Sequence, residues 1–145
     1  MDAEIVQAVD RLKADIIAKY KSMNLQASGN FERGLTVEDY GNGVRLTAPH
    51  YVYQMEQGRA AGKAPPLAAI KRWIADKNKN AGTDIPEEAA YAIMLKIKQE
   101  GISVPNKFNA GGVVSSILTP ELLSRLTEEI NQIVKVRILN ILNKK

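Results

Sequence analysis

A glycine-punctuated basic loop, Gly58-Arg59-Ala60-Ala61-Gly62-Lys63, gathers the groups in this chain best placed to do chemistry. Tyr51, Tyr53 and Glu56 precede it, and Pro65-Pro66 closes it. Glycines interleaved with cations can form a phosphate cradle, in which backbone N–H groups and a lysine surround the anion. The count does not fit: a P-loop has four residues between its glycines and a Ser or Thr after its Lys, whereas three separate Gly58 from Gly62 and Ala64 follows Lys63. Acyl transfer needs a nucleophile held beside a base. The chain offers no cysteine, one histidine (His50) and no serine in a Gly-x-Ser-x-Gly turn. Lone His50 has no carboxylates grouped beside it in sequence to complete a zinc site. Glu32, Glu38 and Asp39 read as solvated acids, while Glu56, set between aromatics and the loop arginine, reads as a structural group orienting Arg59 or a loop N–H. The expectation is a contact element, with no catalytic residue, cofactor or metal.

Arg59, Lys63, Lys71, Arg72, Lys77 and Lys79 crowd positive charge around this loop and the segment after it. Such a cluster can contact phosphates, so a small basic DNA-binding module is the alternative reading. Asp76 interrupts the run, no recognition-helix signature accompanies it, and a solvated helix face accounts for most of it. Twenty Lys and Arg against 16 Asp and Glu leave a net charge of +4, too mild an excess to make nucleic acid the default partner.

The elements that must position the loop follow from periodicity. Asp2 can cap a helix with apolar positions Ile5, Val9, Leu12, Ile16, Tyr20 and Met23. Ser28-Gly29-Asn30 breaks it. Leu35 and Val37 alternate with Thr36 and Glu38, and Val44 and Leu46 with Arg45 and Thr47, around Gly41-Asn42-Gly43, which reads as a β-hairpin ended by Pro49. His50 to Met55 fits a strand or a helical turn; a short helix is preferred, with Tyr51 and Tyr53 as half-buried anchors. Pro65 and Pro66 suit the first turn of a helix bearing Leu67, Ile70, Trp73 and Ile74, and Lys77 to Gly82 reads as its polar exit loop. Asp84 is placed as the cap of a second central helix with Pro86 in its first turn; its small face is Ala89, Ala90, Ile93, Met94 and Ile97, and Gly101 its stop. Ile102 and Val104 read as a third strand before Pro105. Val113, Val114, Ile117 and Leu118 are too apolar for water and must dock on the body or a neighbour. Thr119-Pro120-Glu121 opens a last helix whose apolar stripe runs from Leu122 to Leu142 and is wide enough around Val136, Leu139 and Leu142 to suggest a second buried side, with Lys144 and Lys145 favourable on its dipole.

The order of these pieces resembles a known family. Tyr51-x-Tyr53-x-x-Glu56-x-Gly58-Arg59, the Gly62-Lys63 turn, Pro65-Pro66, Ile70 and Trp73 one helical turn apart, and Glu88-x-Ala-Tyr-Ala-Ile93 are together similar to the head-tail joining or tail-completion proteins of long-tailed bacteriophages. The similarity spans roughly residues 35 to 104, about half the chain. It implies a virion structural protein of the neck or upper tail, assembled in the host cytoplasm. Such a protein forms a homo-oligomeric ring by one repeated heterologous contact and adapts a portal-side ring to the tail, with DNA passing through its lumen. Carried over by position, the contact residues are Tyr51, Tyr53, Glu56, Gly58, Arg59, Gly62, Lys63, Pro65 and Pro66, with Trp73 holding the loop base.

The bulk numbers agree with a single α+β domain over residues 1–145: a small antiparallel sheet with a β-hairpin, packed by long amino- and carboxy-terminal helices and two central helices. At 145 residues the chain is long enough to bury a core without disulfides. No apolar run approaches the roughly 18 residues of a membrane span, and the start MDAEIVQAVDRLK lacks the basic-then-apolar order of a signal peptide.

Overall fold

Asp2 accepts a hydrogen bond from the Glu4 N–H and so starts helix α1 (Ala3–Ser22), as an N-cap should. In the computed structural model, which describes residues 2–143, the stripe that α1 buries is Ala8, Leu12, Ile16 and Tyr20. A short helix α2 (Asn30–Gly34), unforeseen in the sequence, follows Gly29, whose φ of 79° suits glycine. It delivers Phe31 and Leu35 into the core, each 1% exposed. Tyr20 stacks on Phe31 with ring centroids 4.2 Å apart, and its hydroxyl donates to the Leu25 carbonyl at 2.9 Å. Burial pushes the Tyr20 phenol well above the usual tyrosine range, with Glu32 adding to the effect, so it stays a donor.

The hairpin forms as the alternation requires. Strands β1 (Thr36–Asp39) and β2 (Val44–Thr47) pair antiparallel with Val37 opposite Leu46 and Glu38 opposite Arg45. Among the turn residues only Gly41 adopts positive φ, 79°, and the Asp39 carboxylate accepts its N–H at 2.7 Å. Helix α3 (Val52–Gln57) confirms the helical reading of the ambiguous stretch. Helices α4 (Leu67–Ala81) and α5 (Ala89–Glu100) pack on each other. Helix α6 (Pro120–Leu142) opens with Thr119 accepting the Leu122 N–H at 3.2 Å. The described residues thus hold six helices and a two-stranded antiparallel sheet, an α+β fold.

Three boundaries differ from expectation. The stretch from Lys77 to Ala81 is helix, not exit loop. Its polar residues bond elsewhere: Lys77 to the Asn24 carbonyl, Asn80 to the Ala27 carbonyl at 2.6 Å, and Asn78 to both polar groups of the Ile85 backbone. Asp84 does not cap α5, which begins at Ala89 after a turn at Glu87 and Glu88. The third strand is absent; Ile102 makes a single antiparallel bridge to Arg59, and Gln57, which would face Val104 in a longer ladder, is the last residue of α3. The expected positions of Lys144 and Lys145 lie outside the described residues.

Apolar burial falls into two clusters. Leu12, Ile16, Tyr20, Phe31, Leu35 and Val113 form the larger one, with Tyr51, Val52, Met55, Ile117, Leu122 and Leu126 packed around it. Ile70, Ile74 and Ala90 form the second, flanked by Ile93, Met94 and Ile97 from the small face of α5. The segment after Gly112 therefore docks on the chain's own body, Val113 being fully buried.

Phe31→Ala removes the largest fully buried side chain and half of the Tyr20 stack. It should cost about 3–5 kcal/mol, read as a lower urea midpoint at unchanged slope.

Candidate contact site

The loop begins where α3 ends. Gly58, at φ 82°, caps α3 by donating its N–H to the Gln54 carbonyl at 2.8 Å. From there the backbone runs against the exit of α5. Arg59 N–H donates to the Ile102 carbonyl and Ile102 N–H to the Arg59 carbonyl, both at 2.8 Å, and Gly62 N–H donates to the Lys98 carbonyl at 2.8 Å. A Cβ on Gly58 would sit 2.1 Å from the Ile102 oxygen, and one on Gly101 2.2 Å from the Arg59 oxygen. Both glycines are required by close approach as well as by positive φ.

Beyond this crossing the chain turns outward. Ala60, Ala61, Gly62, Lys63 and Ala64 are all exposed, whereas Gly58 and Pro65 at the two ends are buried. Arg59 is half-buried and its guanidinium donates to the Lys63 carbonyl at 3.3 Å, tightening the turn across its own mouth. The paired prolines precede α4 and do not lie in its first turn; Pro66 is the N-cap, and its carbonyl accepts from Ala69 and Ile70. The result is a cationic turn with a fixed base and a free tip.

The neighbouring candidates divide. Tyr51 is half-buried against the larger cluster, as expected, but Tyr53 is 70% exposed and anchors nothing in the core. Trp73, expected at the loop base, is 39% exposed and stands outside the cluster that Ile70 and Ile74 form; backbone pairing holds the base.

Glu56 corrects a second expectation. Its carboxylate turns to the segment after Gly112 and not to Arg59 or the loop, accepting the Val114 N–H at 2.5 Å, the Ser115 N–H at 3.1 Å and the Ser115 hydroxyl at 2.8 Å. That segment coils into a helical turn, with Leu118 N–H donating to the Val114 carbonyl at 2.9 Å, so its first N–H groups lack partners of their own. Glu56 satisfies them from across the fold. Burial works to raise its pKa, but the hydrogen bonds from Val114, Ser115 and Gly112 outweigh it, and the carboxyl titrates below its ordinary range.

One displayed residue, Phe108, was given no contact role from the sequence. Asn106 Oδ1 accepts the N–H groups of Phe108 at 2.8 Å and Asn109 at 2.9 Å, and the Asn109 side chain donates to the Met55 carbonyl of α3 at 3.0 Å. This tight turn holds Phe108 76% exposed, with the Lys107 ammonium 4.8 Å from its ring centre. Asn-x-x-Asn spacing was the available signal.

Among the described residues no group of three or more His, Cys, Asp or Glu side chains could hold a metal ion. Two open depressions lie elsewhere, one between α4 and α5 at Leu67, Lys71, Glu87 and Tyr91, the other between α1 and α6. No described helix is long and apolar enough to cross a membrane. Comparison of the chain with protein-family models, curated proteins and solved structures finds no match.

A carboxylate with a depressed folded pKa stabilises the fold above its unfolded pKa and loses that contribution as pH falls through the folded one. Glu56→Gln should therefore flatten the acid limb of the stability profile below about pH 4.5. At neutral pH it should speed hydrogen exchange at Val114 and Ser115 while α1 amides are unchanged. Equal exchange in both proteins would show that Glu56 does not seat this segment.

Proposed function

We propose that this chain is a virion structural protein of a tailed bacteriophage, a ring-forming head-tail connector or tail-completion adaptor that acts by shape and carries no catalysis. The observation that supports the reading most directly is the cationic turn: Ala60 to Ala64 project while Gly58 and Pro65 are buried and the backbone is pinned to Ile102 and Lys98. A rigid base with an exposed tip keeps the ordering cost of contact low. The residue order from Tyr51 to Ile93, similar to that of head-tail joining proteins, supplies the class of partner: further copies of this chain and the portal-side and tail proteins of the neck. One such contact, repeated by a rotation that closes, makes a ring.

The DNA-binding alternative draws less support. Lys71 pairs with Glu87 at 3.0 Å, Lys77 donates to the Asn24 carbonyl, and Arg59 is committed to its own loop. Half of the cationic cluster is thereby engaged within the fold.

Arg59→Glu and Lys63→Glu should keep the wild-type circular dichroism, and Lys63→Glu, fully on the surface, should alter stability by no more than about 0.5 kcal/mol. Neither protein should enter particles when it replaces the wild-type chain during assembly of the neck and tail. Normal incorporation of both folded variants would remove the turn as the contact element. A wild-type protein that retards duplex DNA at low salt, with retardation lost as salt rises, would favour the alternative.

A further inference from the structure

Helix α6 packs on α1 over part of its length only. Arg137 pairs with Asp2 and Glu129 with Arg11, while Leu122, Arg125 and Leu126 lie beside Ala8, Leu12 and Asp15. These contacts set the two helices antiparallel, and Ile138 to Leu142 run on past the first turn of α1. No residue of α6 is buried. Leu123, Val134, Ile138 and Ile141 are 45%, 42%, 52% and 71% exposed. With Thr127 and half-buried Ile130 they recur at steps of three and four residues, which keeps them on one side of the helix, turned away from the α1 contacts. An exposed apolar stripe of this length marks a docking surface.

The charges beside it indicate what covers it. Glu121, Glu128 and Lys135 follow one another at seven-residue intervals along a single flank of the stripe, and all three are exposed. In an antiparallel pair of identical helices, a flank faces its own counterpart with the sequence reversed. Centring the pair near Gln132 sets Leu123 against Ile141 of the second copy and Ile130 against Val134, and it brings Glu128 beside Lys135 twice over. A parallel pair places this flank of the two helices on opposite sides of the seam, so Glu128 and Lys135 do not meet. We propose that α6 is an isologous interface, on which a second copy of this chain docks its own α6 antiparallel about a two-fold axis. The inference rests on α6 alone and does not require the contact role of the loop around Arg59.

The 145-residue protein at micromolar concentration should sediment as a dimer of the 16.0 kDa chain. Ile138→Glu should give a folded monomer. Lys135→Glu should weaken the dimer about tenfold by opposing like charges, and adding Glu128→Lys should restore it. Because the chain has no cysteine, introduced thiols report direction cleanly. A mixture of Leu123→Cys and Ile141→Cys proteins should cross-link between the two variants, and neither should cross-link alone. A wild-type monomer, a dimer indifferent to Ile138→Glu, or cross-linking within the Leu123→Cys protein by itself would overturn the proposal.

Discussion

Two backbones pass one another at Gly58-Arg59 and Gly101-Ile102 with no side chain between them, and the placement of everything around the loop follows from that crossing. The reciprocal 2.8 Å hydrogen bonds between Arg59 and Ile102 form only because Cβ atoms are missing at Gly58 and Gly101, where they would overlap carbonyl oxygens. Both glycines also hold positive φ, 82° and 70°, so a side chain there would be strained as well as crowded. The crossing joins the end of α3, which belongs to the larger apolar cluster, to the end of α5, which belongs to the smaller. A turn emerging from such a junction inherits its rigidity, and the same residues that would be flexible in isolation are displayed in one orientation.

The smaller cluster could not fix its own position. Ile70, Ile74 and Ala90 are its only buried members among the described residues, a modest apolar area for two helices. Directional polar bonds do the rest. Asn80 reaches the Ala27 carbonyl and Lys77 the Asn24 carbonyl, both in the loop after α1, while Asn78 ties α4 to the strand of chain entering α5. On the other side, Glu56 and Asn109 bind segments more than fifty residues away along the chain to α3. Apolar packing supplies the bulk of the stabilisation in the large cluster, and hydrogen bonds to otherwise unpartnered backbone groups supply the register between parts.

What the sequence made legible was local. The α1 cap at Asp2, the hairpin turn at Gly41, the small face of α5 and the Thr119-Pro120 start of α6 each rest on residues within one or two turns, and each is present. Long-range partners were not legible. Nothing near Glu56 announces that its acceptors' donors lie at Val114 and Ser115, so Arg59 was the nearest available assignment. Lys77 to Ala81 read as loop because polar residues without tertiary partners favour loops, and their partners at Asn24, Ala27 and Ile85 appear only when the chain is folded. Trp73 and Tyr53 read as anchors because aromatics are usually buried; here both face outward.

Helix α6 shows how one helix can serve two environments with two faces. One face completes the core through Leu122 and Leu126, while the face bearing Leu123, Val134, Ile138 and Ile141 has nothing in the fold to cover it. A contact that a growing ring makes is heterologous and leaves one face open until closure, whereas an isologous contact is saturated by two copies. If the face from Leu123 to Ile141 pairs with its own copy, it is removed from water without creating a new open face. Such a pairing leaves the cationic turn exposed, because Ala60 to Ala64 lie on a different element of the chain from α6.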